Sequence, residues 1–276
     1  MKKKILAYPY LAWMVLFIVV PMLLVLGYSF VATTAGGTIK LTLENLTKCF
    51  HPAYLQIIGF SVLIALISTV ACLAIGYPLA MILAGKTFKN KDTLVFLLLA
   101  PMWMNFLLRT YAWLTLLERN GVINSFLRWL NLPALEIINT PTAVIIGMIY
   151  NFLPFMVLPI YTVMSKIDGS LIEAARDLGA SKWQVFRKVM LPWSMAGVVS
   201  GIIMVFMPAV TSFVIPNLLG GAKTLMIGSF IEMQFFVSGQ WGFGSAMSAL
   251  IMTAIIFIAY FANRRGNIEE SGGGMI

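Results

Sequence analysis

Apolar residues run along this chain in long stretches broken by short polar ones. About 20 apolar residues in helical form cross a hydrocarbon core of about 30 Å. The runs 10–32, 57–84, 94–117, 142–165, 194–216 and 244–263 approximately meet that length. The pattern predicts an all-α membrane protein with six transmembrane helices, because a segment in lipid must satisfy its own backbone hydrogen bonds. Residues 217–243 mix apolar and polar positions and are expected to fold partly back into the membrane. The first run continues to about Phe30, past the roughly 7–15 apolar residues of a signal-peptide core, so it reads as an uncleaved first helix. Residues 1–276 read as a single transmembrane domain.

Composition supports this class, since 60% of the 276 residues are hydrophobic and 11% charged, against about 25% charged in soluble domains. The net charge of +9 would suggest acidic partners in a soluble protein, but its distribution tells another story. Lys2, Lys3, Lys4, Lys86, Lys89, Lys91, Lys166, Arg176, Lys182, Arg187, Lys188, Arg264 and Arg265 fall on one side of the alternating spans. Lys40, Lys48, Arg119, Arg128 and Lys223 fall on the other. Basic residues are retained on the cytoplasmic side, so both termini are expected to be cytoplasmic, as is the loop between spans four and five. No basic face with interleaved aromatics occurs, which argues against nucleic acid as a partner.

Catalytic and metal chemistry find no support. His51 has no second histidine nearby, and Cys49 and Cys72 do not make a disulfide framework. The spans hold no Ser/His, paired-Asp or metal constellation, so no catalytic residue and no metal ligand is expected. They also lack a central Asp or Glu, which a secondary transporter or channel would use. Pro78, Pro101, Pro154, Pro159 and Pro208 interrupt the spans; such kinks lie in protein or line a water-filled cavity. Arg109, inside the third run, is expected to be structural, pairing with Glu118 or with backbone carbonyls.

The polar loop 168–192 is built to fold. Asp168-Gly169 reads as a turn. Ser170 to Glu173 and Ser181 to Gln184 both match the capping-box spacing, and Gly179 suits a left-handed helix end. Leu171, Ala174, Ala175 and Leu178 form one small apolar face; Trp183, Phe186, Val189 and Met190 form another. Pro192 is expected to stop the second helix before the fifth span. The prediction is a cytoplasmic helix–turn–helix whose small residues let another backbone come close.

At these residues the chain resembles a family. Glu173-Ala174-Ala175, three residues, Gly179, nine residues, then Val189-Met190-Leu191-Pro192 is similar to the EAA loop of type I (MetI-like) ABC-importer permeases, with Val189 where Ile is usual. The resemblance implies a permease domain whose coupling loop comprises Glu173, Ala174, Ala175, Arg176, Asp177, Leu178, Gly179, Ala180, Ser181, Leu191 and Pro192. That loop would dock on a dimer of ATP-binding-cassette ATPases. It further implies a second homologous permease subunit and an extracytoplasmic substrate-binding protein in a bacterial cytoplasmic (inner) membrane. ATP and Mg would be held by the ATPase, so no cofactor is expected in this chain. Ala80 to Thr87, AMILAGKT, nearly matches a phosphate-binding loop, but Ala80 replaces its first Gly and the segment ends a membrane helix rather than a strand.

The stretches APMWMNFLLRTYAW, PTAVIIGMIYNFLPFMVLPIY, LIEAARDLGASKWQVF and NLLGGAKTLMIGSFIEMQF resemble the first permease of spermidine/putrescine importers. The resemblance implies a polyamine substrate; another small cationic or polar solute stays open. Cations are held by carboxylates and by aromatic faces, the latter at about 0.5–2 kcal/mol each. The residues available for such a path are Trp103, Tyr111, Trp113, Tyr150, Phe213, Asn217 and Glu232, with Phe235 and Phe236 alongside.

Overall fold

The computed structural model describes residues 8–33, 39–85 and 90–272. The expected anchors Lys2, Lys3, Lys4, Lys86 and Lys89, and Thr87 of the AMILAGKT segment, lie outside them, as does the end of the tail after Gly272. Among the described residues, five helices are long and apolar enough to cross a membrane: α1 (Tyr8–Ser29), α3 (Pro52–Ala84), α7 (Pro141–Met164), α9 (Lys182–Thr211) and α11, whose apolar part is Trp241–Tyr260. The backbone of α11 continues as helix to Gly272. A sixth span exists if a broken pair counts as one.

That pair corrects the expected third span 94–117. Helix α4 (Lys91–Leu99) passes into a 3₁₀ turn, Ala100–Trp103, and stops. Helix α5 (Phe106–Leu117) restarts behind Asn105, whose Oδ1 accepts from Leu107 N at 2.8 Å. The segments Thr93–Trp103 and Phe106–Trp129 are bent by 92° relative to each other. Hydrophobicity is continuous across the break, but Pro101 and the N-cap Asn105 end one helix and begin another.

Four shorter elements, two of them strands, add to the six expected spans. Strands β1 (Val31–Thr33) and β2 (Ile39–Leu41) pair antiparallel, with Val31 opposite Leu41. Helix α2 (Glu44–Lys48) precedes α3. His51, expected as a loop residue, caps α3 by accepting from Ala53 N at 3.4 Å. Helix α6 (Val122–Trp129) follows α5. Its buried Asn124 exchanges bonds with Leu135 at 2.8 and 3.0 Å and donates to Glu118 O at 3.0 Å.

The core is the bundle of α3, α7 and α9. Gly197 and Gly201 bring α9 onto α7: a Cβ on Gly197 would lie 2.7 Å from Pro159 O, and one on Gly201 would lie 2.8 Å from Met156 Sδ. Small residues four apart allow this approach between membrane helices. Met156 is fully buried, and it also meets α3 at Gly76. Pro78, Pro154, Pro159 and Pro208 lie inside these helices without ending them.

The bundle has two ends. At one, Tyr77 of α3 reaches Ser194 of α9, close to residues 165–192. At the other, the 217–243 segment turns back on the bundle. It begins with a π turn, Pro216–Gly220, and continues into α10 (Ile227–Phe236). Ile227 N donates to Ser61 Oγ at 2.7 Å, and Asn139 N donates to Leu219 O at 2.9 Å. Tyr54 packs between Phe230 and Phe243.

Candidate functional site

Loop 168–192 is ordered by its own local chemistry. Helix α8 (Gly169–Asp177) starts two residues earlier than expected. Asp168, not Ser170, is its N-cap, accepting from Ser170 N at 3.0 Å. Asp caps as well as Ser, and Asp168 holds the extended conformation that a cap needs, which places Ser170 inside the first turn. The helix ends at Gly179 with φ +80°. Gly179 N donates to Arg176 O at 2.8 Å and Ala180 N to Ala175 O at 3.0 Å. These two bonds make a Schellman ending.

Ser181 then starts α9 with a complete capping box: Gln184 N donates to Ser181 Oγ at 3.3 Å, and Ser181 N donates to Gln184 Oε1 at 2.7 Å. Pro192 does not stop this helix, contrary to expectation. The turn Phe186–Met190 widens to a π turn, with Leu191 N bonded to Phe186 O, and α9 runs on to Thr211. An extra residue in the turn relieves the clash between a proline ring and the carbonyl four residues back.

The result is an unburied apolar and small surface. No residue of α8 is buried, and Leu178 at its end is 89% exposed. Beside Leu178, a pocket of about 340 Å³ is lined by Ala175, Gly179, Val185 and Val189, with the polar Gln184 and Lys188. A Cβ on Gly179 would meet nothing within 4 Å, so glycine is there for its backbone and not for crowding. Trp183 is exposed and stacks on Phe186, ring centroids 5.3 Å apart. Phe186 meets the Tyr77 ring edge-on at 5.7 Å.

The proposed path residues form two groups and leave two apart. Asn217 Nδ2 donates to Glu232 Oε2 at 2.6 Å, and Glu232 and Phe213 share a cavity of about 460 Å³ between α9, α10 and α11. Trp113 of α5 and Tyr150 of α7 meet edge to face at 5.3 Å. Trp103 is exposed and touches Phe96, and Tyr111 is half exposed. Phe235 packs on Trp241, and Phe236 lines the cavity with Glu232. The structure therefore does not gather all seven residues into one site.

Arg109 also departs from expectation. It makes no ion pair with Glu118. Its guanidinium lies 5.8 Å from the Phe106 ring centroid, and its buried Nε has no hydrogen-bond partner among the described residues. Cys49 is buried, donates to Asn45 O at 3.2 Å, and has its thiol pushed up by burial. A thiol held protonated is a poor nucleophile. Residues Ala80–Ala84 of the AMILAGKT segment are the last turn of α3, not a strand leading to a phosphate loop. Reading the sequence missed the contact between Tyr77 and Ser194, whose partners are 117 residues apart. It also missed the Gly197-x-x-x-Gly201 seam, although its spacing is visible in the chain.

Residues 62–265 match the family described as binding-protein-dependent transport system inner membrane component. The spermidine/putrescine transport system permease protein PotB of Escherichia coli strain K12 is 41% identical over 259 residues, covering 91% of this chain and 94% of that relative. The Haemophilus influenzae protein of the same name is 40% identical over 260 residues, covering 92% and 91%. Among solved structures, a bacterial ABC transporter involved in the import of the acidic polysaccharide alginate matches with a TM-score of 0.79 at 17% identity, over 96% of both chains. At that identity the likeness is one of fold.

Proposed function

This chain belongs to the family of binding-protein-dependent transport system inner membrane components, and from that premise we propose that it forms part of the path by which polyamines such as spermidine and putrescine are imported. It is a non-catalytic permease subunit of an ATP-driven importer in the inner membrane. The observation that carries the substrate is the 41% identity to a spermidine/putrescine permease across 91% of the chain. The fold alone does not choose a solute, since an alginate importer shares it. A polycation also suits the chemistry: Glu232 supplies a carboxylate, and Trp113 and Tyr150 supply aromatic faces.

In this reading residues 1–276 are one permease domain with both termini cytoplasmic, as the distribution of Lys and Arg supports. The chain pairs with a second, similar permease and receives polyamine from an extracytoplasmic binding protein. Residues Glu173 to Ser181, with Leu191 and Pro192, form the coupling loop for an ATPase dimer, which holds the ATP and Mg; this chain holds neither. The exposed Leu178 and the adjoining pocket fit an apolar side chain of that ATPase. Closure of the ATPases on nucleotide moves the loop, and the bundle alternates its access.

The test is reconstitution with the ATPase and second permease, with ATP hydrolysis measured with and without a spermidine-loaded binding protein. Stimulation by the loaded protein that is lost in Gly179→Arg is the expected result. Stimulation only by a binding protein loaded with another solute overturns the polyamine assignment. Failure of any ATPase to copurify overturns the docking assignment.

A further inference from the structure

We infer that Phe186 and Tyr77 are positioning residues for energy coupling, forming a stiff link that carries movement of the loop to the paired ends of α3 and α9. This rests on the docking of the loop to an ATPase proposed above. The loop presents two faces. Val185 and Val189 line the pocket beside Leu178, whereas Phe186 and Met190 pack against the main core. No residue of helix α8 is buried, and the helix rests on the first turn of α9. A displacement of α8 therefore acts on that turn, and Phe186 is the aromatic group through which the turn meets α3.

The link is continuous. The ring of Trp183 stacks on Phe186 at an angle of 25°, and Phe186 meets the Tyr77 ring at 87°. The Tyr77 hydroxyl lies 2.8 Å from Ser194 Oγ in a buried contact. Ser194 Oγ donates to Leu191 O at 3.1 Å, so Tyr77 is the donor to Ser194. Tyr77 thus holds α9 just beyond the π turn while its ring bears on Phe186 within the turn.

The link sits between two soft joints. On α3, the next residue is Pro78, which removes the backbone bond back to Ala74. On α9, the π turn Phe186–Met190 interrupts the regular helical ladder. Helices bend at such places. Rigid rings joining two bendable points convert a push on the loop into a joint change of α3 and α9. A ring stack that only filled space would not need a buried donor aimed at the neighbouring helix.

The experiment uses the reconstituted complex and three readouts: copurified ATPase, basal ATP hydrolysis, and spermidine taken up per ATP hydrolysed. In Phe186→Ala the first two stay within about twofold of the parent, and uptake per ATP falls about tenfold, within the usual range of coupling effects. Phe186→Tyr restores the ring and recovers uptake per ATP. Tyr77→Phe keeps the packing, loses only the hydroxyl, and lowers uptake per ATP by about threefold. Unchanged uptake per ATP in both Phe186→Ala and Tyr77→Phe overturns the inference while leaving the docking assignment intact. Loss of copurified ATPase in step with loss of uptake also overturns it, since Phe186 would then merely support the docking surface. A parent complex that retains no ATPase overturns the docking assignment, and this inference with it.

Discussion

The seam between α7 and α9 and the loop that leads into α9 use the same kinds of small residue to opposite ends. In the seam, Gly197 and Gly201 exist because backbone and side-chain atoms of Pro159, Ile160 and Met156 occupy the space where a side chain would stand. In the loop, Gly179 exists because the chain turns through φ +80°, with open space where its side chain would be. Small residues in the seam are consumed by the fold. Those in the loop, with Leu178 left 89% exposed, remain available to another chain. The contrast separates residues that hold the permease together from residues proposed to connect it to its ATPase.

The strongest way to break the comparison is Gly197→Leu. Backbone atoms of Pro159 and Ile160 lie within 2.9 Å of the added Cβ and cannot step aside, so the loss is about 3 kcal/mol, the top of the overpacking range. The expected outcome is a sharply lowered melting temperature in detergent, or no monodisperse protein. Leu178→Asp sharpens the comparison from the other side. Its side chain is 89% exposed, so stability should stay within about 0.5 kcal/mol. ATPase copurification should fall about tenfold, or about 1.4 kcal/mol. Normal ATPase binding by that variant would sink the docking assignment.

A matched pair then tests the two reasons for glycine. Gly179→Ala costs about 1–2 kcal/mol, because a Cβ is strained at positive φ. Gly179→Asn should recover most of that, as Asn tolerates the left-handed region, whereas Gly197→Asn should recover nothing relative to Gly197→Ala. Thermal melts of the four variants decide the matter. The smallest effect is expected for Glu232→Gln. Its contact with Asn217 is at an exposed site, where loss of charge is worth about 0–1 kcal/mol. A rise of up to about fivefold in KM for spermidine uptake, with kcat unchanged, follows from that figure. An equal change for an uncharged solute would remove the carboxylate from the substrate path.

Much of the architecture was legible because lipid imposes simple rules. Helix α1, α3, α7 and α11 begin or end close to the apolar runs that forecast them, since each span must satisfy its backbone internally. The second capping box was legible because Ser181 and Gln184 act within one turn. The first was misread because Asp168 and Ser170 are both good caps, and the backbone of Asp168 settled the choice. The break at Asn105 was hidden by the apolar residues on both sides of it, although Pro101 and Asn105 carried the signal. The continuation of α9 through Pro192 depends on the π turn, which no residue type in that turn announces.

The chain by itself determined where most of its apolar segments run and the capping box from Ser181 to Gln184. Each of these follows from residues a few positions apart or from a count along the chain. Only the tertiary structure decided that Gly197 and Gly201 face α7, that Asn217 meets Glu232, that Arg109 lies over Phe106 without reaching Glu118, and that Tyr77 binds Ser194. Helical periodicity names the faces of a helix but not its neighbour. In lipid, where every face of a span is apolar, the neighbour is chosen by close packing and by a few buried hydrogen bonds.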